Sequence, residues 1–262
     1  MTSINIDTLP KGKLFSICSL VTNMQEYSEM LVSFQTAGFN DEITEFLYAD
    51  NTQGNNYDGF QGVKAFLTKA TGDYIIICHQ DILLSYDKID TLLACINEVT
   101  NLDPLWAILG NAGYQDSNQK AIRISDPYGI NVSKGSFPAK VKSLDENFLV
   151  IRRDANLSIS NDLHGFHFYG VDLCLIADML GYNAYVINFH LFHKSGGTCN
   201  ESFFAAKSRL ITKYQRVLQT KFVRTTCTSL FLSSCKLLNA ICNKKVIYSL
   251  KKRYDYLHAK LS

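Results

Sequence analysis

The stretch that decides the fold is Gly72-Asp73-Tyr74-Ile75-Ile76-Ile77-Cys78-His79-Gln80-Asp81. From Tyr74 to Cys78 the residues are apolar and do not alternate with polar ones, as expected of an inner strand of a parallel sheet whose two faces are both covered. The run then breaks into His79, Gln80 and Asp81. In open α/β sheets ligands collect at the carboxyl ends of the strands, so His79 and Asp81 fall where a binding site would lie. A strand followed by an ordinary polar turn would read the same way over these ten residues alone, and the flanking sequence has to decide.

Upstream, Leu14 to Val21 reads as a first strand, and Asn23 caps a helix in which Tyr27, Met30, Leu31 and Phe34 recur at helical spacing until Gly38 ends it. Ile43 to Ala49 reads as a second strand. The following Asp50-Asn51-Thr52-Gln53-Gly54-Asn55-Asn56 is turn chemistry with enough side-chain acceptors to grip a ligand, although most such loops satisfy only their own backbone. Phe60, Val63, Phe66, Leu67 and Ala70 then line one face of a helix leading into Tyr74. Downstream, Ile89, Leu92, Leu93, Ile96 and Val99 form the apolar stripe of another helix. The alternation βαβαβα predicts a parallel sheet with right-handed crossovers. Neither G-x-G-x-x-G nor a P-loop follows the first strand, which disfavours a dinucleotide dehydrogenase or a P-loop kinase.

Trp106 to Leu109 reads as a fourth strand. Gly110 to Lys140, rich in Gly, Asn, Ser and Asp, reads as a long irregular region with room for a hairpin around Ala121 to Ser125. Val141 to Leu144 leads to Asp145-Glu146-Asn147, and Phe148 to Ile151 forms a further strand before Arg152-Arg153-Asp154. Val171, Leu173, Leu175, Ile176 and Met179 make a helix with Asp172 in its first turn, where the helix dipole favours negative charge, and Gly181 caps it. Ala184 to Asn188 returns as a strand. The loop His190 to Thr198 then carries His190, His193, Gly196 and Gly197 at a strand end, where glycines let the backbone approach a substrate closely.

The 262 residues are 47% hydrophobic and 19% charged, which suits one large α/β domain with an appendage. Met1 to Lys13 is short, polar and interrupted by Pro10, unlike a secretory signal, which predicts a cytoplasmic protein. Eight cysteines include no Cys-x-x-Cys pair, so buried free thiols are expected in preference to disulfides or a zinc site. The formal charge of +2 hides a division: from Lys207 to Ser262 there are 13 Lys and Arg against the single acid Asp255, and the first 206 residues carry a net −10. A basic tail on an acidic body suggests an anionic partner, membrane lipid or nucleic acid.

Five phrases in order, ADN (49–51), GDYIIICHQD (72–81), DENFLVIRRD (145–154), FHFYGVDLCL (166–175) and HKSGG (193–197), resemble the family 2 glycosyltransferases, in particular the bacterial polysaccharide enzymes whose acidic motif reads His-Gln-Asp. The resemblance runs from about Leu14 to Thr198. It implies the glycosyltransferase A-type fold, α/β with a Rossmann-like, mostly parallel sheet flanked by helices, over residues 1–205, and a basic helical extension over 206–262. It also implies an inverting transfer from a nucleotide-diphosphate sugar, of uridine type, with a divalent metal, Mn²⁺ or Mg²⁺. On this resemblance Asp81 and His193 hold the metal, His79 fills the other position of the acidic motif beside the substrate, and Asp172 is the catalytic base, with Val171 where relatives have Glu. Asp145 and Glu146 match the segment that touches donor sugar and acceptor, Glu146 standing where many relatives have Gly. Thr22, Asp50 and Asn51 match the uracil- and ribose-binding positions.

Ser202 to Leu218 reads as helical. From Thr225 on, Leu230, Phe231, Leu237, Leu238 and Ile241 fit one face of a second helix, followed by Lys244, Lys245, Lys251, Lys252 and Arg253. Lys236, Asn239 and Asn243 interrupt it too often for a membrane span, but it suits a helix lying on an anionic inner leaflet, which would bring the protein to a lipid-linked saccharide acceptor. A helical hairpin covering the sheet edge is the plainer reading. Two other functions stay open: a nucleotidyltransferase making a nucleotide sugar, which usually opens with a Gly-rich, Arg-containing loop not seen in Leu14 to Glu26, and a non-enzymatic module binding membrane or nucleic acid through the tail. Nucleic acid ranks last because RNA-type aromatic motifs are not evident.

Overall fold

The computed structural model describes residues 12–115, 119–196, 201–217, 220–224, 229–233 and 235–244. The expectations for the first eleven residues, for Gly197 and Thr198, for Cys199 and Cys227, and for the basic run from Lys245 onward lie outside them.

The first half follows the expected alternation: β1 (Phe15–Val21), α1 (Met24–Thr36), β2 (Thr44–Asp50), α2 (Gly59–Lys69), β3 (Tyr74–Cys78), the short β4 (Ile82–Leu83), α3 (Ile89–Leu102) and β5 (Trp106–Gly110). Local chemistry sets the boundaries. The Asn23 side chain accepts from the backbone N–H groups of Gln25 and Glu26 to start α1, and Gly38 turns the chain away at φ +102°. Asp58 and Gln61 form a reciprocal capping box at the start of α2.

There follow β6 (Ala112–Tyr114), β7 (Lys120–Asp126), β8 (Gly129–Lys134), β9 (Ala139–Val141), β10 (Ser143–Leu144), β11 (Phe148–Arg152), α4 (Tyr169–Met179), β12 (Asn183–Val186) and β13 (Leu191–His193). The main sheet has the order β2-β1-β3-β11-β5-β12-β9. β2, β1, β3, β5 and β12 point one way, and β11 and β9 point the other. The sheet is therefore mostly parallel, but β11 is wedged antiparallel between β3 and β5. A buried apolar run such as Phe148-Leu149-Val150-Ile151 carries no mark of direction.

The larger correction concerns Gly110 to Lys140. Most of it is strand: β6, β7 and β8 join β10, β13 and β4 in a second sheet of order β10-β6-β7-β13-β4, with β8 paired to β7. Asp126 closes the β7–β8 turn by accepting from the N–H groups of Tyr128 (2.8 Å) and Gly129 (3.0 Å). These strands looked like loop because one side of them faces solvent. In β8 (GINVSK) no residue is buried, so there is no apolar run to read.

Tyr27, Met30 and Phe34 of α1 and Leu92, Ile96 and Val99 of α3 share one cluster with Ile17, Ile76, Phe148 and Val150. Alternation sends Ile75 and Ile77 to the opposite face. There α2 and α4 lie together, with Phe60 and Tyr169 edge to face at 6.5 Å. Gly72 packs so tightly that a Cβ would lie 2.5 Å from the Ser16 backbone nitrogen, and its own N–H donates to Ser16 Oγ at 2.8 Å. Gly72→Ala is expected to lower stability by about 1–3 kcal/mol in a denaturant titration, by overpacking at the β1–β3 pairing.

The chain divides into two compact units between Ser208 and Arg209. α5 (Glu201–Val217) forms as expected, and the second unit continues with β14 (Lys221–Arg224), β15 (Ser229–Leu232) and α6 (Lys236–Cys242). From Ser229 to Leu232 the expected helix is replaced by a strand paired antiparallel with β14, and residues 225–228 lie outside the described ones. The β-favouring residues Phe222, Val223 and Phe231 suit that choice. Asn243 secures it by accepting from Phe231 N–H (2.9 Å) and donating to Phe231 O (2.8 Å). Among the described cysteines, Cys18, Cys78, Cys95 and Cys174 are buried free thiols, whereas Cys235 is exposed. No described helix is long and apolar enough to cross a membrane.

Candidate functional site

His79, Asp81 and His193 converge beyond the carboxyl end of β3. One register does it: β13 pairs antiparallel with β4 so that His193 faces Ile82, the residue after Asp81. His79 is fixed by its N–H, which donates to Asn147 O at 3.0 Å. His79 Nδ1 lies 3.3 Å from His193 Nε2, which lies 3.3 Å from Asp81 Oδ1 and 3.3 Å from Ser195 Oγ. The three ligand atoms all lie within 4.8 Å of one another.

The far side of His79 fixes its tautomer. Its Nε2 is 3.3 Å from the Tyr169 hydroxyl, which also lies 3.2 Å from the Glu146 carbonyl oxygen. A carbonyl only accepts, so the single phenolic proton goes to Glu146 and the Tyr169 oxygen accepts from His79 Nε2–H. That leaves Nδ1 with its lone pair turned toward His193 and Asp81, the arrangement by which an outer partner orients a metal-binding imidazole. Burial, and after it the proximity of His193, lowers the His79 pKa. Burial alone would raise the Asp81 pKa, but hydrogen bonds from His193 and Ser195 outweigh it and hold the carboxyl well below its ordinary value. His193 Nε2 lies 3.3 Å from both His79 Nδ1 and Asp81 Oδ1, which matches the spacing of neighbouring ligands roughly 2.0–2.2 Å from one ion, and the remaining pair falls within the 4.8 Å that bounds the set. The donor set suits a divalent transition metal such as Mn²⁺ better than Mg²⁺, which prefers oxygen alone.

Beside this triad, Asp145 Oδ1 accepts from Asn147 N–H (3.0 Å) and Asn147 Nδ2 (2.5 Å), and so shapes the turn that holds His79. Glu146 turns its carboxylate to the start of α4, where Oε1 accepts from Gly170 N–H at 3.2 Å. Phe168, at φ +71°, precedes that helix and opens its first amides. Burial, with the neighbouring charge of Asp145, pushes the Glu146 pKa up to about 8. Asn147 Oδ1, and Asn111 Oδ1 just after β5, are buried acceptors with no donor among the described residues.

No family model matches the chain. Over 209 residues, 78% of this chain and 84% of the other, it is 40% identical to the protein described as "ATP synthase subunits region ORF 6" of Fuscovulum blasticum. The chain belongs to that protein's family. That description says nothing of the chemistry of the ORF 6 family. In structure the chain is similar to the mannosyltransferase PcManGT from Pyrobaculum calidifontis, solved with GDP-Man and Mn²⁺, at a TM-score of 0.52 and 11% identity. The alignment covers 80% of this chain and 66% of that one, so the chain spans just under two thirds of the mannosyltransferase's length. At that distance the likeness establishes the glycosyltransferase-type fold for this member of the ORF 6 family, with its sheets flanked by helices.

The other residues singled out from the sequence are placed unequally around the triad. Thr22 lies at the end of β1 and is bound to Gln80, between His79 and Asp81. Asp50 accepts from Thr52 N–H and Oγ1 (2.8 and 2.7 Å). Asn51 spends its amide on the Tyr57 backbone in both directions (2.8 and 2.9 Å), so its side chain shapes the loop after β2 and does not reach out of it. Asp172 is fully buried, and its carboxylate oxygens accept from Ser160 N–H (2.8 Å) and Ser160 Oγ (2.6 Å). In this arrangement it anchors the segment before α4, and both of its carboxylate oxygens are engaged by Ser160. The sequence reading assigns no role to Tyr169, although it stands in FHFYGVDLCL, or to Gln80, between His79 and Asp81.

Proposed function

We propose that this chain is a metal-dependent, inverting glycosyltransferase acting on a nucleotide-diphosphate sugar. The observation that carries the reading is the convergence of His79, Asp81 and His193 at the carboxyl end of β3 in a glycosyltransferase-type fold. A divalent cation held there would neutralise the charge that develops on the departing diphosphate. His79 and His193 supply nitrogen and Asp81 supplies the negative charge. The Thr22 turn and the loop after β2, at the ends of neighbouring strands, form the side on which the nucleoside lies. A structural relative was solved with GDP-Man and Mn²⁺, which makes guanosine as well as uridine donors the first to test.

In a single inverting displacement the acceptor oxygen bonds to the sugar's anomeric carbon, the bond from that carbon to the diphosphate oxygen breaks, and the hydroxyl proton passes to a base. Glu146 takes that role in this reading. It is half-buried beside Tyr169 and Asp145, and its raised pKa suits proton transfer near neutral pH. The test is transfer and donor hydrolysis with a panel of uridine- and guanosine-diphosphate sugars, with Mn²⁺ and with Mg²⁺. Turnover that needs Mn²⁺ supports the reading. Metal-independent turnover, or none with any donor, refutes it.

The acceptor belongs to the same proposal. In α6, Leu237, Leu238 and Ile241 are 67%, 43% and 41% exposed, and the chain beyond is rich in Lys and Arg. Apolar side chains beside a basic run suit the surface of an anionic bilayer and a lipid-linked saccharide carried on it. The full chain is expected to float with vesicles containing anionic lipid and to stay behind with neutral ones. Equal behaviour with both removes the membrane part of the proposal.

A further inference from the structure

Gln80 sits between two ligands of the triad, yet its side chain turns away from them. Its Oε1 accepts from Thr22 N–H (2.7 Å) and Asn23 N–H (3.0 Å), and its Nε2 donates to Thr22 Oγ1 (3.0 Å) and Glu26 Oε2 (2.9 Å). The amide thus spends both acceptor sites and both donor hydrogens on residues more than fifty positions away in sequence. One helical turn beyond Glu26, Glu29 forms an ion pair with Lys194, which follows His193 and whose N–H donates to Asp81 O at 3.2 Å. The first two turns of α1 therefore hold both pieces of chain that carry the triad, one through Gln80 and one through Lys194. The same turn carries Thr22 at the strand end assigned above to the nucleoside.

We propose that Gln80 is a positioning residue that locks the β1–α1 turn to the metal-binding loop, so that a nucleoside diphosphate at the turn and a divalent cation at the triad each tighten the binding of the other. The inference rests on the proposed function for the identity of the nucleotide and on geometry alone for the lock. A side chain joining two loops by four hydrogen bonds transmits any shift of one to the other, and binding coupled in this way is reciprocal. It also keeps His79 and Asp81 in place when the triad is unliganded, as outer partners of metal sites do.

Reversing the polarity of the lock tests it. In Gln80→Glu the two backbone N–H contacts survive, but two carboxylates face each other across the Glu26 contact. Adding Glu26→Gln restores a donor there, with direction reversed. The dissociation constant of Mn²⁺ is measured by calorimetry for the wild type, Gln80→Glu and the double variant, each with and without saturating uridine or guanosine diphosphate, and circular dichroism and thermal midpoints are recorded to confirm the fold. The wild type is expected to bind Mn²⁺ about tenfold or more tighter with the diphosphate. Gln80→Glu is expected to lose about tenfold in Mn²⁺ affinity and to shrink that ratio to the part that direct contact between cation and diphosphate supplies, and the double variant to recover both. An unchanged ratio in Gln80→Glu, or no recovery in the folded double variant, overturns the proposal. If the wild type binds Mn²⁺ but neither diphosphate, the transfer reading and the coupling both fail. The positioning claim is then judged by Mn²⁺ affinity alone, and equal values in all three proteins overturn it.

Discussion

Asp81→Asn is expected to lower sugar transfer by about a thousandfold or more while the thermal midpoint moves by only a few degrees. Asn keeps the shape and one acceptor oxygen but removes the only carboxylate of the triad. A cation between two neutral imidazoles and an amide is bound weakly and does less to offset the charge of a departing diphosphate. A thousandfold loss corresponds to about 4 kcal/mol of transition-state stabilisation, within what one metal supplies. The measurement is turnover at saturating donor over a range of Mn²⁺ concentrations. Partial recovery at high Mn²⁺ marks a ligand, whereas full activity in Asp81→Asn at ordinary Mn²⁺ removes Asp81 from the site.

The second large effect separates two acids. Glu146→Gln is expected to reduce turnover by about a hundredfold to ten-thousandfold with little change in donor KM, the range lost with a general base. Asp172→Asn is expected to act on folding: it disturbs two buried hydrogen bonds to Ser160 and costs roughly 2–3 kcal/mol of stability, while the folded fraction keeps its turnover. The pH dependence has a definite sign. A carboxyl whose folded pKa is raised to about 8 stays protonated in the native state after the unfolded chain has ionised, so stability is lost as pH rises from the ordinary glutamate range toward 8. Glu146→Gln removes that slope. As a base Glu146 works only when ionised, so turnover climbs over the same interval and the Gln variant flattens the climb. If Asp172→Asn is well folded and inactive while Glu146→Gln is active, the two roles are reversed.

The parts of this site that could be read from sequence were those written into local patterns. Tyr74 to Cys78 showed as a buried strand because neither face tolerates charge, and His79 and Asp81 followed from its end. The helices α1 and α2 showed through Asn23, Asp58 and their apolar spacing. Pairing between distant segments left no such trace. Nothing in Phe148 to Arg152 states that β11 runs backwards, and nothing in Leu191-Phe192-His193 states that it pairs with the two residues after Asp81, although that pairing completes the triad. The role of Asp172 rests in the sequence on the family resemblance alone, and its buried partner Ser160, twelve residues earlier in an irregular segment, leaves no local pattern to read. Glu146 was legible as a neighbour of substrate but not as a base, because its raised pKa comes from burial. Gln80 went unread because its partners lie in β1 and α1.

The most direct test of the account is calorimetric titration of the full chain with uridine and guanosine diphosphates in the presence and absence of Mn²⁺. The account predicts that one of the two binds at one site per chain, that Mn²⁺ strengthens the binding, and that Asp81→Asn abolishes the strengthening. Binding indifferent to Mn²⁺ and to Asp81, or no binding of either diphosphate under any of these conditions, would contradict it.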